Sequence, residues 1–550
     1  MRPAAGAAGF SGLVPWILIV ALAGSAAFAA LAYVAGQDGN WDFYNYHYYN
    51  PYAYLNDRFW FDIQPAQRQS NITPFPDLPF YWLTEKFGVV TASLAYAVVQ
   101  SWQLPAIFLI AVLVFVALGV RRRTALIAAL PLAVIATFSP LNLQLAGTTT
   151  GDSLTATFVM WALAVFLLAQ SRHGSDRPTP TSIALLALAG ALAGIAVGLK
   201  LTNGPYAVAL AACVLAVGHV PGGRIRALSL FGLAGLAGFL LAYGYWGWFL
   251  YDEFQNPLFP TFNHVFHSEF MKPVQLNDET FKATTLARTV FYPFFYNAYI
   301  GAINYQQFLD LRIPLLYGGS VFAALALLFS GGARARLRAG PIVPSLLVFA
   351  VVSYLVWIYL FSITRYLLVL EVLTPVALVA ICGFAIGRKW PTIALSALAL
   401  VPLVLSSAQH AQRGNAFGYR TPWADTVFEI EFPDLAIDGS MVLVTGGQAM
   451  AFLIPFLPED TRFVRIDSNL NYVGYESIEA RYDNRMGARL RNEIAAHDGD
   501  FFVMFGPGEE RYVGPDLAYF GIVHDAESCQ AIRSKGPELI ICRAYRAPSS

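Results

Sequence analysis

Eleven apolar runs constrain this chain more than any other feature. They lie at 13–35, roughly 90–119, 124–140, 152–170, 181–200, 204–218, 227–250, 311–330, 341–361, 366–386 and 391–407. A bilayer's hydrocarbon core takes about 20 apolar residues of helix, so the chain reads as a polytopic α-helical membrane protein with about eleven transmembrane helices. Only 13% of its residues are charged, roughly half the share in soluble domains. Abundant aromatics, at 15%, exclude a disordered polymer. A formal net charge of zero argues against a nucleic-acid partner, which would need a basic footprint. The runs 124–140 and 204–218 are short, and the second follows Asn203-Gly204-Pro205, which predicts a broken or tilted helix.

The basic residues fix an orientation. Arg121-Arg122-Arg123, Arg172 with Arg177, Arg224 with Arg226, Arg334/Arg336/Arg338 and Arg388-Lys389 fall on alternate connections, and Lys/Arg clusters stay in the cytoplasm. With Arg2 also inside, those segments carry +12, the outer loops and spans −5 and the C-terminal segment −7. The neutral total therefore hides a chain that is basic inside and acidic outside. The expected orientation has a cytoplasmic N-terminus, with 36–89, 251–310 and 408–550 on the opposite, outer face. Ser25–Ala29 resembles a signal-cleavage site, but the run before it is longer than a signal core, which favours an uncleaved helix.

After residue 407 the pattern becomes that of a soluble α/β fold. Met441–Thr445, Phe463–Ile466, Phe501–Phe505 and Leu539–Cys542 read as strands and 476–496 as an amphipathic helix. The expected organisation is a transmembrane domain over 1–407 and an extracytoplasmic α/β domain over 408–550. Gly446-Gly447 after a strand reads as a tight turn, because the dinucleotide-binding pattern is incomplete. Cys529 and Cys542 lie where a disulfide can form, and their pairing stays open. Cys213 and Cys382 lie within spans as packing residues.

The segment Gly36-Gln37-Asp38-Gly39-Asn40-Trp41-Asp42-Phe43-Tyr44-Asn45-Tyr46-His47-Tyr48-Tyr49-Asn50 mixes carboxylates, aromatics and amides. An interfacial aromatic belt explains the tyrosines. It does not explain Asp38 and Asp42, which are costly near a dry interface without a partner or a task. Aromatic faces beside hydrogen-bonding groups suit a sugar.

Beyond Asp42, Pro74-Phe75-Pro76-Asp77-Leu78-Pro79-Phe80-Tyr81-Trp82-Leu83 leads back to the membrane. An acid after the first span, followed by such an element entering the next, resembles the GT-C superfamily of integral membrane glycosyltransferases, nearest the protein-mannosyltransferase and lipid A aminoarabinose-transferase group. Gly151-Asp152-Ser153-Leu154 is similar to that group's Thr-Asp-x-x-Leu element. Gly198-Leu199-Lys200-Leu201-Thr202-Asn203-Gly204-Pro205 is similar to its Leu-x-Lys-Gly-Pro element, and Thr364-Arg365-Tyr366-Leu367-Leu368 to its Arg-Tyr-Leu-Leu-Pro element. The resemblance covers roughly 13–407. Thr202-Asn203 interrupts the Lys-Gly-Pro element, and Phe43 stands where a second acid would follow Asp42.

The resemblance implies a polyprenyl-phosphate sugar donor, a hydroxyl acceptor on a glycan, lipid or protein, membrane lipids as surroundings, and inversion without a glycosyl-enzyme intermediate. Such a transfer needs a base for the acceptor proton and cations for the departing phosphate. Asp42 is the candidate base, with Asp38 in reserve. Lys200 and Arg365, at outer ends of spans, are the candidate phosphate ligands, against snorkelling or, for Arg365, a pair with Glu371. Asp152 either caps its helix or positions donor or metal. Asp77, His47, Tyr46 and Trp41 are candidates around the substrate. No cofactor is certain. A divalent metal, Mg or Mn, has weak candidate ligands in His264, His267 and Glu269, provided that a helix places the histidines one turn apart. A transporter or flippase of lipid-linked sugars is the rival reading, and a non-catalytic scaffold the third. The candidate polar groups lie at span ends rather than mid-membrane, with Glu371 the main exception.

Overall fold

A computed structural model describes residues 12–171, 179–217, 223–276, 279, 281–295, 310–412, 419–470 and 477–548. Among them, nine helices are long and apolar enough to cross a membrane: Val14–Ala35, Leu78–Ala117, Asp152–Ser171, Pro180–Leu199, Arg224–Phe254, Arg312–Phe329, Ile342–Leu360, Thr364–Ile386 and Lys389–His410. The protein is a multi-pass membrane protein. The short runs become the shorter helices Arg122–Thr137 and Leu201–Ala216. At 16 residues, Arg122–Thr137 covers about 24 Å of a core roughly 30 Å thick. The run expected at 90–119 differs most. Its helix begins at Leu78, runs through a non-helical Gly88 to Gln100, and resumes over Gln103–Ala117. Pro79 fits the first turn, where its missing N–H leaves no bond unmade, and hydropathy alone does not register that start.

The chain forms two compact units. One comprises Met1–Ala35, Leu94–Ala242 and Asp278–Gly418, the other Gly36–Ser93, Tyr243–Asn277 and Tyr419–Ser550.

In the first unit, Gln103–Val114 and Leu368–Phe384 are buried at every position. Helices apolar all round belong at the centre of a bundle. Peripheral helices instead turn Leu233, Leu240, Leu241 and Leu355 outward, as lipid-facing surfaces do. Helix Pro180–Leu199 packs through Gly190, Gly194 and Gly198 against Arg224–Phe254. A Cβ on Gly194 would stand 1.8 Å from the Gly235 carbonyl oxygen, so only glycine allows that approach.

In the second unit, β1 (Gln37–Asp38) pairs antiparallel with β2 (Arg420–Thr421). The remaining strands are β3 (Met441–Val444), β4 (Arg462–Arg465), β5 (Phe501–Phe505), β6 (Ile522–His524), β7 (Gln530–Ile532) and β8 (Leu539–Arg546). They form one sheet in the order β4-β3-β5-β8-β6, with β7 also on β8. β3 lies parallel to β4 and β5, while β8 runs antiparallel to its neighbours. Every residue of β3 and β5 is buried, which is why these strands read as unbroken apolar runs. The loop after the first span extends the sheet: Ile63 N–H donates to Phe463 O at 2.8 Å and Ile63 O accepts from Arg465 N at 2.9 Å. Arg58 fixes that loop, bonding both oxygens of Asp62 at 2.8 and 3.0 Å and the carbonyls of Glu459 and Thr461 at 2.7 Å. The helix expected over 476–496 is two among the described residues, Ile478–Tyr482 and Arg485–Ala496. Asn484 separates them and caps the second, accepting from Gly487 N at 2.9 Å. Cys529 and Cys542 form a disulfide. Cys213 and Cys382 are free and buried.

Gly194→Val should lower the thermal midpoint in detergent by the equivalent of about 1–3 kcal/mol or more through overpacking. Gly232→Ala, on the partner helix with nothing within 4 Å of its Cβ position, should leave the midpoint unchanged or higher. Burial and neighbouring Asp467 push the Asp516 carboxyl up to about 6, against the lowering effect of Arg481 at 3.0 Å. The folded state therefore holds this proton more tightly than the unfolded chain, where Asp titrates near ~3.9. The group favours folding most at low pH, and that contribution is lost as pH rises through about 6. Midpoints measured across this range should decline less in Asp516→Asn than in the parent.

Candidate active site

Three breaks in the helices of the first unit meet around one carboxylate. The first precedes helix Asp152–Ser171, where Gly151 takes a positive φ of 75° that delivers Asp152 into the first helical turn. The second follows helix Pro180–Leu199. Its C-cap Lys200 is extended, a single 3₁₀ turn covers Leu201–Asn203, and the chain resumes as helix at Gly204-Pro205. The third is the turn Phe361–Ile363 and the 3₁₀ turn Thr364–Leu367, which carries Arg365.

Lys200 Nζ lies 2.7 Å from Asp152 Oδ1 and donates to Thr150 O at 2.6 Å. Arg365 Nε lies 3.1 Å from Asp152 Oδ2. That distance makes an ion pair, but the N–H is not aligned for a hydrogen bond, since Oδ2 has no hydrogen-bond partner. Asp152 is buried at 5% side-chain exposure, while Lys200 and Arg365 keep 18% and 33%. The Tyr366 ring centroid lies 5.6 Å from Lys200 Nζ and 5.7 Å from Arg365 Cζ, within cation–π reach of both. Two cations thus share one carboxylate, and both cationic heads are partly exposed.

Side chains that the sequence reading passed over hold these breaks. Gln100 donates to Thr148 O at 3.0 Å and accepts from Gly147 N at 2.7 Å. Asn203 donates to Ala196 O at 3.2 Å and Lys200 O at 3.1 Å. The Thr202-Asn203 interruption therefore has a structural task, because its amide takes up carbonyls that the broken helix leaves open. Trp357 donates to Ile363 O at 2.7 Å, Tyr292 to Ser362 O at 2.9 Å and Tyr206 to Tyr366 O at 2.5 Å. A usable signal was present for Gln100 and Asn203, since amides inside apolar runs need internal partners. The alternative pairing of Arg365 with Glu371 does not form. Glu371 accepts instead from Leu141 N at 3.0 Å, at the start of helix Pro140–Leu145, and this gives the mid-span acid a structural partner.

In the second unit, Trp41 and Asp42 lead into a π-helical turn over Phe43–His47, a rare geometry that often marks functional sites. Asp42 is half-buried and Trp41 is 37% exposed. Asp38 is fully buried, accepts from Asn40 N at 3.1 Å and lies opposite Arg420 across the β1–β2 pair. His47 and Asp77 are both buried and bonded, Nδ1 to Oδ2, at 2.7 Å. With that carboxylate accepting from Nδ1–H, Nε2 is the ring's other polar atom, and it has no protein partner among the described residues. Tyr46 packs on the imidazole with ring centroids 4.1 Å apart. The neighbouring tyrosines do not form a belt. Tyr44, Tyr48 and Tyr49 are core residues, Tyr48 bonding Glu85 and Tyr49 bonding Asp62.

The candidate metal ligands are not brought together. Helix Asn263–Phe266 has four residues and ends at His267 with a positive φ of 55°, so His264 and His267 do not share a helical face. Glu269 lies 3.8 Å from Arg485, and no group of three His, Cys, Asp or Glu residues among the described ones could hold a metal ion. After β3, Gly447 N and Gly506 N both donate to the Glu509 carboxylate, at 2.7 and 2.8 Å. An acid of the chain itself fills the position that a phosphate would need in such a turn.

No protein-family model and no curated protein matches this chain. Among solved structures it is similar to ArnT from Cupriavidus metallidurans bound to undecaprenyl phosphate, with 15% identity over 97% of this chain and 98% of that one and a TM-score of 0.46. It is also similar to the apo oligosaccharyltransferase of Archaeoglobus fulgidus, with 15% identity over 90% and 70% and a TM-score of 0.47. Mycobacterial arabinofuranosyltransferase AftD shows 17% identity over 96% and 41%, with a TM-score of 0.41. Glycosyltransferases of this kind are the class that the sequence motifs resemble. Likenesses of this size assign no role to any residue here.

If Asp152 is the anchor of both cations, Asp152→Asn should lower the thermal midpoint in detergent. A double-mutant cycle with Lys200→Met should show a coupling of roughly 0.5–3 kcal/mol, as expected for residues in direct contact. Additive single effects would refute the shared anchor.

Proposed function

We propose that the protein is an integral membrane glycosyltransferase that moves a sugar from a polyprenyl-phosphate carrier to a hydroxyl of a glycan, lipid or protein, with inversion, on the outer face of a bacterial inner membrane. The observation that carries this reading is the pair of cations, Lys200 and Arg365, drawn to one buried carboxylate at the ends of apolar helices. Two partly exposed cations gathered at one place suit an anion, and at a span end the fitting anion is a lipid phosphate. The excess of basic residues on alternate connections supports the outer-face orientation.

In the proposed reaction Asp42 takes the proton of the acceptor hydroxyl and the hydroxyl oxygen attacks the anomeric carbon. The bond from that carbon to the carrier phosphate breaks, and its electron pair leaves on the prenyl phosphate. Lys200 and Arg365 stabilise that leaving group, whose negative charge grows as the bond breaks. Asp152 positions the two cations, and the Tyr366 ring lies within cation–π reach of both. Asp38 is fully buried, whereas Asp42 lies on the half-exposed rim of a π-helical turn, where an acceptor hydroxyl could reach it, and the base is assigned to Asp42. The His47–Asp77 pair is assigned to substrate positioning, through Nε2.

Purified protein should be incubated with prenyl-phosphate sugars and hydroxyl acceptors and the product scored for inverted stereochemistry. Lys200→Met and Arg365→Gln should each weaken donor binding by roughly 10- to 100-fold, the worth of one charge-assisted bond. Asp42→Asn should abolish transfer with donor binding largely intact, and near-normal turnover of that variant would refute the base assignment.

A further inference from the structure

The second unit holds a cavity of about 200 Å³ that the transfer reaction as described leaves unused. Aromatic rings form most of its wall, among them Tyr54, Phe59, Trp60 and Tyr245. Edge-to-face contacts brace these rings: Tyr54 meets Tyr245 at 84° and Phe59 meets Phe249 at 83°. Trp60 is anchored by an Nε1 bond to Glu253 at 2.8 Å. Sites for drug-sized ligands run about 300–1,000 Å³, so this one has room for a single ring.

The polar groups on its wall decide what kind of ring. Asn50 lines the cavity at 5% exposure. Its amide nitrogen donates to Gln69 O at 2.9 Å and Ile72 O at 3.0 Å, which makes it part of the wall's framework. Ser70 also lines the cavity, and its hydroxyl accepts from Ala66 N at 3.0 Å, leaving its own hydrogen to donate. Asp57, on the same wall, is exposed and adds a carboxylate. A ring with hydroxyls at its edge and C–H groups on its faces suits such a wall, stacking on the aromatics while bonding Ser70 and Asp57.

We propose that this cavity binds one sugar ring, presented by the acceptor glycan or by the lipid-linked donor. The inference rests on the transferase reading for the use of the bound ring, whereas the binding itself is open to test without turnover. Methyl glycosides of hexoses and pentoses should be titrated into the full-length protein and followed by tryptophan fluorescence, with cyclohexanol as the apolar control. Saturable glycoside binding is expected, weakened about tenfold, or roughly one hydrogen bond, in Ser70→Ala and in Tyr54→Ala. Asp57→Asn, an exposed change that keeps the fold, should weaken it in the same direction. A raised KM for acceptor with unchanged donor affinity in Asp57→Asn would place the ring on the acceptor, and weakened donor binding would place it on the donor. Absence of glycoside binding, equal competition by cyclohexanol, or unaltered affinity in all three variants would overturn the proposal. Glycoside binding without any transfer would overturn the transferase reading and leave the sugar site standing.

Discussion

In a hydrocarbon environment a backbone N–H or C=O has no water to turn to, so a helix can break only where the protein itself supplies the missing partners. The membrane unit obeys this at each break. Gln100 serves the turn before Asp152, Asn203 serves the end of the helix at Lys200, and Trp357, Tyr292 and Tyr206 serve the turn that carries Arg365. An unbroken helix would pass Lys200 and Arg365 through the bilayer on a continuous stripe. Because the helices break, the same residues leave the helix axis and turn toward Asp152.

That meeting is an ion cluster in which the anion is buried and the cations are partly exposed. A lone buried carboxylate costs several kcal/mol unless it is paired, so Asp152 holds its partners while they pre-organise it. One buried acid thereby sets the positions of two partly exposed cations. Sequence motifs suggested all three residues separately. Their shared carboxylate, the Tyr366 ring near both cations and the bond from Lys200 to the carbonyl of Thr150 belong to the tertiary structure.

The second unit is organised around a different constraint. Its parallel strands β3 and β4 have an edge to cover, and the loop after the first span covers it, with Arg58 and Asp62 clamping Ile63 beside Val464. Unpaired sheet edges invite unwanted pairing, and a segment some 400 positions away in the chain closes this one. The dense aromatics of 43–49, which composition alone associates with a membrane interface, are needed instead inside this unit, where Phe43, Tyr44 and Tyr48 pack around Phe428.

The apolar runs, the strong strands β3, β5 and β8 and the polarised charge were legible in the sequence because each depends on residues close together in the chain: about 20 apolar positions for a span, a short unbroken apolar run for a buried strand. The helix starting at Leu78, the split at Asn484 and the four-residue helix ahead of His267 were not, because caps, proline placement and positive φ values act locally but carry no hydropathy signal. The amino-acid sequence by itself determined that this protein enters a membrane many times, that it carries an α/β segment after residue 407, and which cations and carboxylates stand at span ends. Only the tertiary structure decided which of them pair, since Asp152, Lys200 and Arg365 lie dozens to hundreds of positions apart. Charges that distant meet only when broken helices, each satisfied by its own buried amide, indole or phenol, bring them to one place.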